Sequence, residues 1–272
     1  MKTRTILFLL AAFICKPFFG QDDDKSFKFG LKMIPSVNWY KPDDPKKIEN
    51  AGVNLKFGYG LMMDFRLAGS AWFCTGLQVD YDGGKLKFLD TVAYQLNLDN
   101  EFIKDPLDSN LNFILDERTY KVNYLTIPLT LRLRTKEIGM MTYFGQFGFP
   151  LSFKLKARCE DNVRPINKTS ASTNVNLPGS PATKEDLDIT NDMGIVNIGL
   201  TIGAGAEYNL SGSTSIIFGL NFTQGFLNVL RPNSIYLIKD PGPLSSNTDP
   251  TKRALSEKVI SRNVGLTVGI LF

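Results

Sequence analysis

The chain has 272 residues, with 31 Lys and Arg against 27 Asp and Glu and no histidine. The missing histidine removes the commonest general base and the commonest metal ligand. Lys2, Arg4 and Lys16 precede position 20 and every carboxylate follows it, so the remainder is close to neutral and offers no footing for nucleic-acid binding.

The first segment reads as an export signal. Lys2 and Arg4 are followed by an apolar stretch, Thr5 to Ile14, of the length of a signal-peptide core. A spanning helix needs roughly 20 apolar residues. A signal peptide is therefore expected over 1–20, with cleavage after Gly20. Ile14 is too bulky for a lipid-attachment motif at Cys15. Residues 21–272 read as one domain.

From Ser26 onward the chain alternates apolar and polar residues in eight stretches, the period-two pattern of strands with unlike faces. The first is Ser26 to Tyr40, with Phe27, Phe29, Leu31, Met33, Val37 and Trp39 on one face. The second is Val53 to Leu67 and the third Ala71 to Asp82, joined by Ala68-Gly69-Ser70. The fourth, Thr119 to Arg134, sets Leu125, Ile127, Leu129, Leu131 and Leu133 against Thr126, Pro128, Thr130, Arg132 and Arg134. Upstream, Tyr120, Val122 and Tyr124 take the opposite parity, which predicts a bulge near Tyr124. The fifth is Met140 to Arg158, the sixth Gly194 to Leu210, and the seventh ends near Asn228. The eighth, Val259 to Phe272, puts Val264, Leu266, Val268, Ile270 and Phe272 on one face.

The connections run about 12, 3, 36, 5, 35, 3 and 30 residues. Alternate short turns and long loops, with an even strand number, are the plan of a bacterial outer-membrane barrel. An N-terminus in the periplasm would bring Phe272 back to the periplasmic rim. Its outward aromatic ring there is expected to serve as the insertion signal. Cys74 and Cys159 fall at opposite ends of non-adjacent strands, beyond the roughly 7 Å that a disulfide allows between Cα atoms. Two free thiols are expected.

A soluble barrel or sandwich shares the alternation, so the character of the faces decides. The polar face is rich in glycine and poor in charge, a thin coat for water. The other face is a broad aliphatic and aromatic band, with Trp39, Tyr59, Tyr81, Tyr143 and Tyr208 placed as an interfacial girdle. A closed barrel satisfies its backbone in lipid, and small inward residues let a narrow one close. The expected fold is all-β: an eight-stranded antiparallel up-and-down transmembrane barrel.

Four stretches carry a family likeness: Phe27-Lys-Phe-Gly-Leu-Lys-Met, Tyr124-Leu-Thr-Ile-Pro-Leu-Thr-Leu-Arg, Gly199-Leu-Thr-Ile-Gly-Ala-Gly-Ala-Glu-Tyr and Val264-Gly-Leu-Thr-Val-Gly-Ile-Leu-Phe. On these the chain resembles the PorT-type outer-membrane β-barrel family of Bacteroidetes. The resemblance implies an outer-membrane barrel with both termini in the periplasm. The namesake takes part in type IX secretion, a role that fold alone does not transfer.

Strand position places Lys28, Asp64, Arg66, Arg132, Arg134 and Glu207 inside the barrel near the short-turn rim. An eight-stranded barrel is filled by side chains, and buried charges persist when paired, so these should form a structural plug. Lys154, Lys156 and Arg158 are expected to point inward at the other mouth, with Asp80 as their partner. Pro128 and Pro150, on adjacent strands and facing the lumen, read first as a fixed bulge tolerated for shape, with a weakened seam between strands four and five as the sharper alternative. The long loops, notably Glu160–Asp192 and Asp240–Glu257, read as unstructured and polar. No catalytic, cofactor or metal site is expected. The leading function is an accessory, structural or partner-binding outer-membrane protein, with the bilayer, the insertion machinery and envelope or secretion proteins as its partners. A narrow pore for small solutes and a lipid-modifying enzyme are the alternatives.

Overall fold

The computed structural model describes residues 26–94, 111–167, 182–239 and 254–272. The expected signal peptide and most of the Asp240–Glu257 loop lie outside these residues. The strands are β1 (Phe27–Pro42), β2 (Ile48–Gly52), β3 (Asn54–Ala68), β4 (Ala71–Asp82), β5 (Lys85–Phe88), β6 (Val92–Tyr94) and β7 (Leu111–Arg134). They continue as β8 (Met141–Asn167), β9 (Ala182–Asp188), β10 (Val196–Ser211), β11 (Thr214–Gly225), β12 (Leu237–Lys239) and β13 (Val259–Leu271).

Eight of them close a ring in chain order: β1, β3, β4, β7, β8, β10, β11, β13 and back to β1, every pair antiparallel. These are the eight alternating stretches of the sequence. Closure sets Gly30 opposite Leu271, and Phe29 and Phe272 exchange backbone hydrogen bonds. Along each ring strand one set of residues is exposed although apolar: Leu31 and Met33, Leu61 and Phe65, Phe147 and Phe149, Leu220 and Phe222, Leu266 and Ile270. That belt girdles the whole wall. The inner face holds small residues where space is short. At Gly205 a Cβ would stand 2.1 Å from the Phe218 carbonyl oxygen and 2.5 Å from the Phe144 ring.

Two ring strands overshoot the belt. β7 has 24 residues and β8 has 27, whereas the other six have 12 to 16. Beyond Leu125 and Leu155 they become the spine of an extension that also holds β2, β5, β6, β9 and β12. Segments expected to be bare loop are therefore partly strand. The extension has its own core, including Tyr40, Leu86, Val92, Leu115, Val163 and Leu237, all nearly or wholly buried.

The bulge expected on β7 near Tyr124 is absent from that strand; the facing strand β8 carries one instead. Pairing steps from Tyr124–Lys154 to Asn123–Lys156, leaving Leu155 as the extra residue of β8. Tyr120, Val122 and Tyr124 stay inward in phase with Thr126, and all four are at most 2% exposed. The parity of β8 flips instead: Lys154 lies on the inward side below the bulge, while Ala157, Cys159, Asp161 and Val163 are inward above it.

Neither reading of the prolines, fixed bulge or weakened seam, holds between β7 and β8. Pro128 and Pro150 face each other within an unbroken β7–β8 register. Neither has an N–H, so theirs is a non-hydrogen-bonded pair, and the missing donors point to the outer neighbours. The ladders break there: β4–β7 skips from Cys74–Thr130 to Gln78–Thr126, and β8–β10 from Ile198–Leu151 to Thr201–Gly148. The interruptions flank the expected seam on both sides.

Candidate functional site

At the short-turn end, register brings the inward charges onto adjacent rungs: Lys28 opposite Asp64, Asp64 opposite Cys74, and Arg132 between Trp72 and Gln146. Asp64 Oδ2 accepts from Arg132 Nη1 at 2.8 Å and from Arg134 Nη2 at 2.5 Å. Glu207 Oε1 accepts from Arg134 Nε at 2.7 Å, and its Oε2 lies 3.5 Å from Lys28 Nζ. A polar chain leads across the barrel from Arg132 through Gln146 and Asn221 to Thr267. The guanidinium of Arg134 stacks 4.3 Å from the Trp72 ring centroid and that of Arg132 4.5 Å from Phe144. All eight ring strands contribute to this floor, which Met62, Phe144, Ile217 and Leu271 fill with apolar bulk.

Five of the six predicted plug residues come together here. Arg66 sits further toward the rim, where its Nε donates to the Gly69 carbonyl at 3.2 Å. Trp72 and Phe144 were not foreseen as part of the plug. Their signal was in the sequence, as large aromatics on the otherwise polar parity of their strands.

The other mouth is roofed. Lys154 points inward as expected, but its Nζ donates to the carbonyls of Thr190 and Met193 and so fixes the 3-10 turn Thr190–Asp192 across the opening. Asp192 accepts from Ser234 Oγ at 2.5 Å and from the Ile235 amide at 2.7 Å, tying that turn to the β11–β13 connection. Met193, Val229, Leu230, Leu255 and Val259 then seal the roof.

Lys156 and Arg158 do not belong to this mouth. The Leu155 bulge turns both to the outer face, where Lys156 is exposed and Arg158 pairs with Asp186. Asp80 accepts from Gln78 at 2.7 Å. The expected inward surplus of cations is thus reduced to Lys154, already occupied as a strut.

Within the extension, Arg118 and Asp161 lie opposite each other on β7 and β8, both at most 1% exposed. Arg118 donates through Nε and Nη2 to the two carboxylate oxygens at 2.7 and 2.6 Å, and Tyr94 Oη donates to Oδ2 at 2.6 Å. This bidentate geometry suits a buried pair. Burial, aided by Asp161, holds the Tyr94 hydroxyl well above the usual phenol range. Burial likewise raises the neighbouring Cys159 thiol. Cys74 and Cys159 are both free and buried.

Between floor and roof lies a polar cavity of about 140 Å³, lined by amides and hydroxyls such as Asn38, Gln78, Asn197, Thr201 and Ser261. It reaches the wall where β3 and β4 part above the Gly58–Asp80 pair, beside Phe57 and Tyr81.

No curated protein matches the sequence. Among solved structures, the chain is similar to the Neisserial surface protein A, at 10% identity and a TM-score of 0.37, over 91% of this chain and 96% of that one. It is similar to OprG of Pseudomonas aeruginosa at 12% identity and TM-score 0.36, over 91% and 95%. Ail, the attachment invasion locus protein of Yersinia pestis, shows 10% identity and TM-score 0.33, over 91% and 100%. The family described as outer membrane protein beta-barrel domain matches residues 19–231, most of the chain though not its closing strand. The chain belongs to the outer membrane protein beta-barrel domain family.

Proposed function

We propose that this outer-membrane barrel is a non-conducting, non-enzymatic scaffold that presents its folded extension to protein partners at the cell surface, with both termini in the periplasm. The observation that carries the reading is the double closure of the lumen, an ion-paired floor at one end and an apolar roof at the other. A pore needs neither, and building both commits the interior to structure. The extension, with a core of its own, is the part left to meet a partner.

The partner class favoured is envelope or secretion machinery. That choice rests on the likeness to PorT-type barrels in the four quoted stretches, with type IX secretion as its sharpest form. Affinity purification from detergent-solubilised outer membrane tests it: secretion components should co-purify, and a clean barrel recovered alone removes the link. Orientation has its own test. A membrane-impermeant thiol reagent on intact cells should label Glu185→Cys in the extension and spare Ser70→Cys in a short turn, and the reverse pattern inverts the topology. Among the described residues the native thiols, Cys74 and Cys159, are buried and add little background.

A further inference from the structure

We propose that the outer wall across β11, β13 and β1 holds a binding site for the phosphate of a phosphorylated glycolipid in the outer leaflet. The proposal rests on the orientation given above, which places the extension at the cell surface.

The apolar belt ends abruptly in this sector. Register aligns Val37, Val264 and Phe222 across the three strands, a wholly apolar rung. One outward rung higher, Arg262 stands between Trp39 and Gln224, and the next sets Ile260 beside Lys41. At roughly 3.3 Å per residue, the wall passes from apolar to cationic within about 7 Å. A groove of about 210 Å³ opens at that level, lined by Lys41, Gln224, Phe226, Lys258 and Ile260, with Asp43 as its one carboxylate.

The charges here are uncommitted. Among the described residues none of Lys41, Lys258 and Arg262 makes an ion pair, and Arg262 Nε is buried without a hydrogen-bond partner. Around β7 and β8 three outward cations are matched, Lys121 with Glu160, Arg158 with Asp186 and Arg164 with Asp116, and among the described residues Lys156 alone stands beside them as an isolated charge without the apolar groove. Two cations against one carboxylate in the groove, with Arg262 one rung below beside Trp39, suit a phosphate whose attached chains run down over Val264 and Phe222. Free phosphate would use only the polar half of the site, so the lipid is the occupant.

Native mass spectrometry of the full chain in detergent tests this, with bisphosphorylated lipid A and its dephosphorylated form as probes. The chain should retain the phosphorylated lipid at least about tenfold better, a difference of about 1.4 kcal/mol. The triple variant Lys41→Gln, Lys258→Gln, Arg262→Gln should lose that preference. Lys156→Gln on the far wall should keep it, as should the charge-preserving set Lys41→Arg, Lys258→Arg, Arg262→Lys. Heat-dependent gel mobility verifies that each variant is folded. Equal retention of both lipids, a preference that survives the triple variant, or complete displacement by millimolar inorganic phosphate overturns the proposal. The thiol labelling above fails or succeeds independently, so a wrong orientation is distinguishable from a wrong site.

Discussion

Arg134 holds the floor together, because its guanidinium bonds both Asp64 and Glu207 while sitting over the Trp72 ring, 4.3 Å from its centroid. Replacing it by alanine leaves two buried carboxylates to share Arg132 and the partly exposed Lys28. Removing one partner of a buried pair costs about 3–5 kcal/mol, and replacing pairs by neutral groups costs much less. Arg134→Ala should therefore lower the urea-unfolding free energy of the vesicle-embedded barrel by about that amount. Adding Glu207→Gln to Arg134→Met should recover part of the loss. Trp72 is the stacking partner and one of only two tryptophans, so its emission reports on the site; an unchanged midpoint in Arg134→Ala sinks the claim. The charges were legible because strand parity assigns each residue to the lumen or the lipid without knowledge of packing. The stacking partners depend on which rungs align, and register is set by turns and closure that no single strand encodes.

Among the elements, β8 departs furthest from its sequence pattern, and one residue accounts for it. Leu155 is the bulged residue at the edge of the belt, and it decides that Lys156 and Arg158 face outward while Ala157, Cys159 and Asp161 enter the core. A shift by one residue exchanges the faces of a strand. Deleting Leu155 should thus force a choice between driving two cations inward and expelling Cys159 with half of the Arg118–Asp161 pair. Cys159 in the intact protein, buried and with its thiol held high, should resist a maleimide at pH 8 until the barrel unfolds. In the deletion variant it should react while the belt region is still folded; equal protection would show that the bulge does not set the phase. The parity conflict on β7 had another cause than the bulge expected from it: β7 keeps its phase through Tyr124 while its inward face changes from polar lumen to apolar core, and the bulge falls on β8. Strand alternation cannot tell which of two paired strands carries the extra residue, so Lys156 and Arg158 were placed on the wrong face. The short strands of the extension were missed for a different reason: β6, Val92–Tyr94, is three residues long and buried throughout, so it has no alternation to read.

For the molecule as a whole, floor and roof act in series, and a solute crosses only if both are open. The roof hangs on few ties: the Lys154 strut, the Asp192 contacts, and Asn228, whose Oδ1 accepts from the amides of Leu230 and Val259 at 3.1 and 2.9 Å. Replacing residues 227–257 by a short Gly-Ser linker would strip the β11–β13 part of the roof. The ring would stay intact, because β11 and β13 pair directly from Ser215–Leu271 to Gln224–Arg262. That variant should still show no steady conductance in a planar bilayer, since five charged side chains and two stacked aromatics continue to fill the other end. The floor alone, opened by Arg134→Gly with Trp72→Gly, should likewise stay closed beneath the apolar roof. Only the combined variant should conduct, because the ion-paired floor and the apolar roof close the lumen independently of each other. Conduction by either single variant would mean that one closure is incomplete in the membrane, and the scaffold reading would give way to a gated pore.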